Sequence, residues 1–390
     1  MADTAMQAAR VAEASEHAPA APPALNYAVQ LGCGVAGGAH ALFRTLQLFI
    51  EAHPDGAVCQ SDISNGFNEM DRGAIFHGLR ILGLAFLIPV ACSLYGCEGS
   101  LVLQRTKGVL HVLGEKVSST TGTKQGCTLG ALLFCVGLHF CMTVTQTIHP
   151  GSIVAGYMDD VHTAHPEAQC AWASLCTFRT MATAHCGVRS NATKLAVYSS
   201  HADLSFLPTS VPGSPSQPVQ GLKVMGAFAS ADQQWVSNQL VKMAPKKVSN
   251  LKGLHYMRDT NMSHSAAQGK LLLLRHCACA APLNWLQLSL PDASDAAACE
   301  HDRLIREAAV PVVNMGTASA FERERALDRA GLPIEGHGGL GLTPARPHRH
   351  AYFAGRFTAD WPTMCSLFPM VASIDLDARS DPTLPDPLPS

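Results

Sequence analysis

The chain has 390 residues, a formal net charge of −2, and 15% charged against 47% hydrophobic residues. An ordinary soluble domain carries about 25% charged residues. The balance therefore predicts sizeable buried cores in two or three domains, and excludes a chain disordered throughout or recognisable as nucleic-acid-binding by net charge alone.

Residues 1–24 are Ala-rich, end in "APAAPPA" and read as a disordered leader, with no apolar secretory core. With 14 scattered cysteines, this predicts an intracellular protein, nuclear or cytoplasmic, with reduced thiols. "GCGVAGGAH" (Gly32 to His40) departs from G-x-G-x-x-G and follows no apolar strand, so it reads as a tight loop before a helix over Ala39 to Ala52. Ala57 to Ser61 reads as a strand ending at Asp62. A helix capped by Asp71 follows, with Ile75, Leu79 and Leu82 on one face.

Thr123 to Gly130 reads as a turn entering the apolar segment Leu129 to Ile148, which contains no Asp, Glu, Lys or Arg. Its length meets the rule for a membrane span. His139, Thr143, Thr145, Gln146 and Thr147 crowd its second half, so a helix in a soluble core is the reading, with no membrane partner. Ser152 to Tyr157 and Val161 to Ala164 read as the strands of a hairpin with Asp159 and Asp160 at its tip. Ala168 to Ala184 is predicted helical, 208–218 a loop, and Leu222 to Phe228 one strand. From Asp232 the pattern is helical and at first basic. Residues 375–390 read as a disordered tail.

Adjacent carboxylates repel, and burial sharpens the repulsion. If the strand ending at Asp62 lies beside the Asp159–Asp160 hairpin, three carboxylates converge, a donor set that selects Mg²⁺ or Mn²⁺ over softer metals. An Asp-Asp dipeptide alone is equally a solvated turn.

Four motifs then appear in order: "SDISNGFNEMDR" (Ser61 to Arg72), "GTKQGCTLGALLF" (Gly122 to Phe134), "GYMDDV" (Gly156 to Val161) and "GVRSNATKLAVY" (Gly187 to Tyr198). The series resembles the palm of a reverse transcriptase, most closely the non-LTR, LINE-like retrotransposon type. "QLGCGVAGGAHALFR", "GLKVMGAF", "LLLLRHCACAAPLNWLQLSLP" and "GGLGL" extend the likeness over roughly Leu25 to Gly355.

The resemblance implies an α+β right-hand polymerase fold, an antiparallel palm sheet backed by helices, with truncated fingers and a helical thumb. Its implied divisions are the leader at 1–24, a remnant of fingers at 25–56, the palm at 57–228, the thumb and following region at 229–345, and a C-terminal segment at 346–390. It implies catalytic roles for Asp62, Asp159 and Asp160, with metal ligation by Asp62, Asp159 and the Ile63 carbonyl. Phe67 would lie under the incoming sugar and exclude a 2′-hydroxyl. Gln125 and Gly126 would line the nucleotide pocket, and Lys194 would face the triphosphate. Lys242, Lys246, Lys247, Lys252 and Arg258 would grip the backbone of a template–primer.

Some positions depart from the family pattern. Gly66 replaces the usual Ala, which predicts a looser support under Phe67, and Cys127-Thr128 replaces Asp-Pro. The short segment ahead of "QLGCGVAGG" suggests a fragment of a retroelement. The implied activity is RNA-directed DNA synthesis from deoxynucleoside triphosphates with Mg²⁺ or Mn²⁺. The alternative is an inactive remnant that folds and binds nucleic acid.

Overall fold

Ala57–Ser64 (β1) is apolar at Ala57, Val58, Cys59 and Ile63 and polar at its other positions, yet seven of its eight residues are buried or half-buried. Such a strand belongs inside a sheet. In the computed structural model it pairs antiparallel with Asp160–His165 on one side and with Arg189–Ser190 and Ala196–Tyr198 on the other. The structure describes residues 30–96, 99–104, 113–248, 264–310, 312, 318–368 and 371. The predicted leader and tail lie outside them.

Two compact units are present: Met1–Val219 with Met364–Ser390, and Gln220–Thr363. In the first, the strands are β1, Ile153–Tyr157 (β4), Asp160–His165 (β5), Arg189–Ser190 (β6) and Ala196–Tyr198 (β7), after the ribbon strands β2 and β3 given below. The sheet order is β4-β5-β1-β6, with β7 also on β1. The helices of this unit are Gly38–Ala52 (α1), Gly66–Glu69 (α2), Arg72–Ile81 (α3), Ile88–Tyr95 (α4), Gly130–Ile148 (α5) and Ala168–Cys186 (α6). Asp71 caps α3 by accepting from the Gly73 N–H at 2.6 Å.

The apolar segment read as a core helix is α5. Its Leu133, Phe134, Leu138, Cys141 and Met142 lie in one buried cluster with Ile75 and Leu79 of α3 and Leu175 and Phe178 of α6. Cys59 and Ile63 of β1 and Val161 of β5 face this cluster. Because side chains alternate along a strand, Asp62 and Asp160 are turned to the opposite face. Their α-carbons are direct cross-strand partners.

Two sequence expectations change. Gly99–Gln104 (β2) and Leu113–Ser119 (β3) form an unpredicted two-stranded ribbon. Leu222 to Phe228 is not one strand but a tight hairpin, Leu222–Val224 (β8) with Ala227–Ala229 (β9). Met225 and Gly226 at its tip take φ of 48° and 81°, the conformation that reverses a chain in two residues. The resemblance implies a palm over 57–228, whereas the division between the two compact units falls after Val219. Phe228 packs edge-on against Trp235, and Asn284 donates to the Met225 carbonyl, so the hairpin belongs with the helical unit.

The second unit gathers Gln233–Val248 (α7), Leu283–Leu288 (α9) and Pro291–Ala309 (α10) around Leu240, Trp285 and Ala297. His264–Leu273 (α8) precedes α9. Ala320–Gly331 (α11) and Ala345–Leu367 (α12) follow. Taken together, the described residues form a mixed α and β protein with antiparallel sheets.

Candidate active site

The β4–β5 hairpin closes at Tyr157↔Asp160, leaving Met158 and Asp159 as its two-residue turn. The Ile63 N–H donates to the Asp159 carbonyl at 3.0 Å, so the turn is tied to the end of β1. Across β1, the Asn191 N–H donates to the Asp62 carbonyl at 2.8 Å. Asn191 also caps the short turn Ala192–Lys194, which carries Lys194 toward β1. The Lys194 ammonium donates to Asp62 Oδ1 at 2.8 Å, with the lysine side chain 60% exposed and the aspartate 10%.

The electrostatics follow from this arrangement. Burial, then the repulsion of Asp159 and Asp62, pushes the Asp160 carboxyl up from 3.8 to about 6. Asp159 is raised by burial and by Asp62. Lys194 is raised by its hydrogen bond to Asp62 and remains an ammonium. Three like charges thus share one strand-end region, and the exposed Lys194 ammonium is bonded to one of them.

By donor type the set fits a hard divalent ion, because every side-chain donor is a carboxylate oxygen and two of the three carboxyls hold protons above their ordinary range. The three carboxylates share the strand end without forming a metal-holding group. Among the described residues, no three His, Cys, Asp or Glu side chains form a group that could hold a metal ion. Asp62 is bonded to Lys194, Asp159 lies in the turn at the hairpin tip, and Asp160 begins β5.

Phe67 follows β1 on α2. Its ring stacks on Phe134 with centroids 4.3 Å apart and planes 15° from parallel, and it is only partly buried. The expectation that Gly66 loosens this support is corrected by the packing. A Cβ at Gly66 would meet Ile63 Cγ2 at 2.8 Å and the Phe134 ring at 3.0 Å, so the close fit of α2 on the core requires glycine.

The Phe67 carbonyl accepts from the Thr123 N–H at 2.6 Å and the Asn68 carbonyl from the Thr121 hydroxyl at 2.8 Å. The loop bearing Gln125 and Gly126 therefore starts beside Phe67, and both residues are exposed, Gly126 with φ of 84°. Arg72, which carried no sequence signal beyond a charge at a helix start, anchors this loop. Its guanidinium donates to the carbonyls of Tyr95, Ser119, Thr121 and Gly122 and to the Ser119 hydroxyl, all at 3.1 or 3.2 Å.

In the second unit, Lys242 and Lys246 stand one turn apart on α7, exposed, while Met243 and Ala244 are buried. The Lys247 side chain, Lys252 and Arg258 lie outside the described residues. His301 is buried, with Nε2 3.0 Å from the Ala278 carbonyl oxygen.

No family model matches the chain, and none of the curated proteins matches it. Among solved structures, the chain is similar to telomerase from Candida albicans in complex with a fragment of telomeric RNA, with a TM-score of 0.41 and 9% identity over 86% of this chain and 53% of that one. Telomerase from Candida tropicalis with such a fragment gives 0.37 and 8% over 95% and 56%, respectively. Apo telomerase from Candida tropicalis gives 0.40 and 8% over 88% and 56%. The chain spans a little over half the length of each.

Proposed function

We propose that the chain is a reverse-transcriptase-like nucleotidyltransferase of the non-LTR retrotransposon type. It would act inside the cell as an RNA-directed DNA polymerase, adding deoxynucleotides to a primer 3′-hydroxyl on an RNA or DNA template. One observation carries this reading: Asp62 stands in register opposite Asp160, with Asp159 in the adjoining turn and Lys194 on Asp62.

Each residue then has work that suits its surroundings. Asp62, Asp159 and the Ile63 carbonyl would hold Mg²⁺ or Mn²⁺, which when bound lowers the primer hydroxyl pKa and neutralises the leaving pyrophosphate. Asp160 adds negative charge that favours cations at the same place. Lys194, kept protonated, is exposed enough to meet a triphosphate and to donate its proton to the leaving group. Phe67, held by Phe134, offers a flat ring under a sugar, where a 2′-hydroxyl finds no room. The Gln125 amide and the Gly126 backbone are free to approach the nucleotide. Lys242 and Lys246 would contact backbone phosphates, with Lys247, Lys252 and Arg258 continuing the stripe.

The test is primer extension by the purified chain on RNA and DNA templates, comparing the wild type with Asp159→Asn. Extension that falls at least about a thousandfold in the variant is the expected result. A second reading, an inactive remnant that still binds nucleic acid, draws on the carboxylates not forming a metal group. Template–primer binding without any Asp159-dependent extension would establish it in place of the first.

A further inference from the structure

Met158 is the first residue of the two-residue turn that presents Asp159, and its φ is 56°. A hairpin turn with positive φ at that position favours glycine, and a long L side chain there costs on the order of 1–2 kcal/mol. Something in the fold must hold the residue in this conformation.

The peptide groups of Met158 meet the side-chain amide of Gln30. The Met158 N–H donates to Gln30 Oε1 at 2.9 Å, and Gln30 Nε2 donates to the Met158 carbonyl at 3.1 Å. The Gly32 N–H donates to the same Oε1 at 3.0 Å, which fixes the amide orientation because only the oxygen can accept two N–H groups. The backbone beside it is held too. The Leu31 N–H donates to the Gly156 carbonyl at 2.7 Å, and Gln30 bridges Gly156 in parallel fashion.

Two glycines make room for this contact. A Cβ at Gly32 would meet the Met158 nitrogen at 2.6 Å, and one at Gly156 would meet Gln30 Nε2 at 3.2 Å. The turn is therefore tied on two sides, by β1 through the Ile63–Asp159 hydrogen bond and by the 30–32 segment through the glutamine. Both donors to Oε1 and the bond from Nε2 commit the amide to the turn rather than to a substrate.

We propose that Gln30 is a positioning residue that clamps the Met158–Asp159 turn and thereby aims the Asp159 and Asp160 carboxylates. What those carboxylates do rests on the polymerase reading; the clamp itself does not. The experiment uses the full chain and two readouts, hydrogen exchange of the Met158 amide and single-turnover primer extension. In Gln30→Leu, the Met158 amide should exchange at least tenfold faster while the β1 amides are unchanged. The extension rate at saturating deoxynucleotide should fall at least tenfold, with KM for the nucleotide within twofold. Gln30→Glu keeps the acceptor for the Met158 N–H and should keep its exchange slow.

Exchange at Met158 within twofold of wild type in Gln30→Leu overturns the clamp. A wild-type extension rate in a Gln30→Leu chain whose Met158 amide exchanges fast overturns the positioning role. Should Gln30→Leu loosen β1 as well, Gly32→Ala decides, since it presses on the Met158 nitrogen and leaves the amide in place. Faster exchange confined to the turn supports the clamp, and unchanged exchange overturns it. Exchange needs no activity, so a wild type without Asp159-dependent extension sinks the polymerase reading and leaves the clamp to be judged separately.

Discussion

Asp160→Asn removes the carboxylate that the fold disfavours most clearly, and should stabilise the metal-free protein. Its carboxyl is pushed from 3.8 to about 6, first by burial and then by Asp159 and Asp62. That displacement corresponds to roughly 3 kcal/mol between the protonation states. The group is only partly buried and solvent screens part of the repulsion, so about 1–2 kcal/mol is the expected gain at pH 8. For a unit of this size that is roughly 2–8 °C in Tm. The sign follows from proton uptake. Between about pH 6 and pH 4 the native chain holds a proton on Asp160 that the unfolded chain lacks, so wild-type stability rises as pH falls through this window. The asparagine variant lacks that rise, and its advantage should vanish near pH 4. Thermal melts in EDTA across pH 4–8 provide the measurement. A variant no more stable than wild type at pH 8, or one whose advantage persists unchanged at pH 4, would refute the claim that burial and repulsion together disfavour a charged Asp160.

Gly66→Ala should destabilise the first unit by about 1–2 kcal/mol in denaturant melts, because the overpacking against Ile63 and Phe134 outweighs the smaller backbone gain of alanine. Phe134→Leu should relieve part of that loss in the double variant. Arg72→Ala strips partners from four carbonyls and should cost about 2–4 kcal/mol. In extension assays, Arg72→Lys should raise KM for the nucleotide more than it lowers kcat. Phe67→Ala in an active chain should raise ribonucleotide incorporation about tenfold or more, since excluding a small group from a closed pocket is worth about 1–3 kcal/mol. Unchanged sugar discrimination would show that Phe67 serves only its stack on Phe134.

The sequence displays the carboxylates because a charge inside an apolar strand, and a charged pair at a hairpin tip, both break a hydrophobic pattern. It also displays α5, as a long uncharged run whose polar half rules for a protein core. Other features depend on distant pairing and leave no local trace. Gln30 meets Met158 across 128 positions, and nothing about a lone glutamine before a glycine-rich loop announces that. Arg72 at a helix start reads as surface charge. The β2–β3 ribbon leaves little trace in the sequence because "LGEKVSS" carries charge and little apolar alternation. The need for Gly66 is steric and set by Phe134 nearly seventy residues later, so it does not show locally.

The position of β1 in the sheet has a consequence during synthesis. Lys194, which completes the Asp62 ion pair, lies 132 residues further along the chain. At about 5–20 residues per second, the nascent β1 waits roughly 7–26 s before that lysine exists. Until β5 is made, its backbone has no sheet partner on either side, and a buried strand with open edges invites pairing with other chains. Asp62 places a charge within that run, as gatekeeper residues do in unavoidable hydrophobic strands. An asparagine there should make the nascent chain more prone to aggregate, a difference visible as lower soluble yield even where the folded sheet is unharmed.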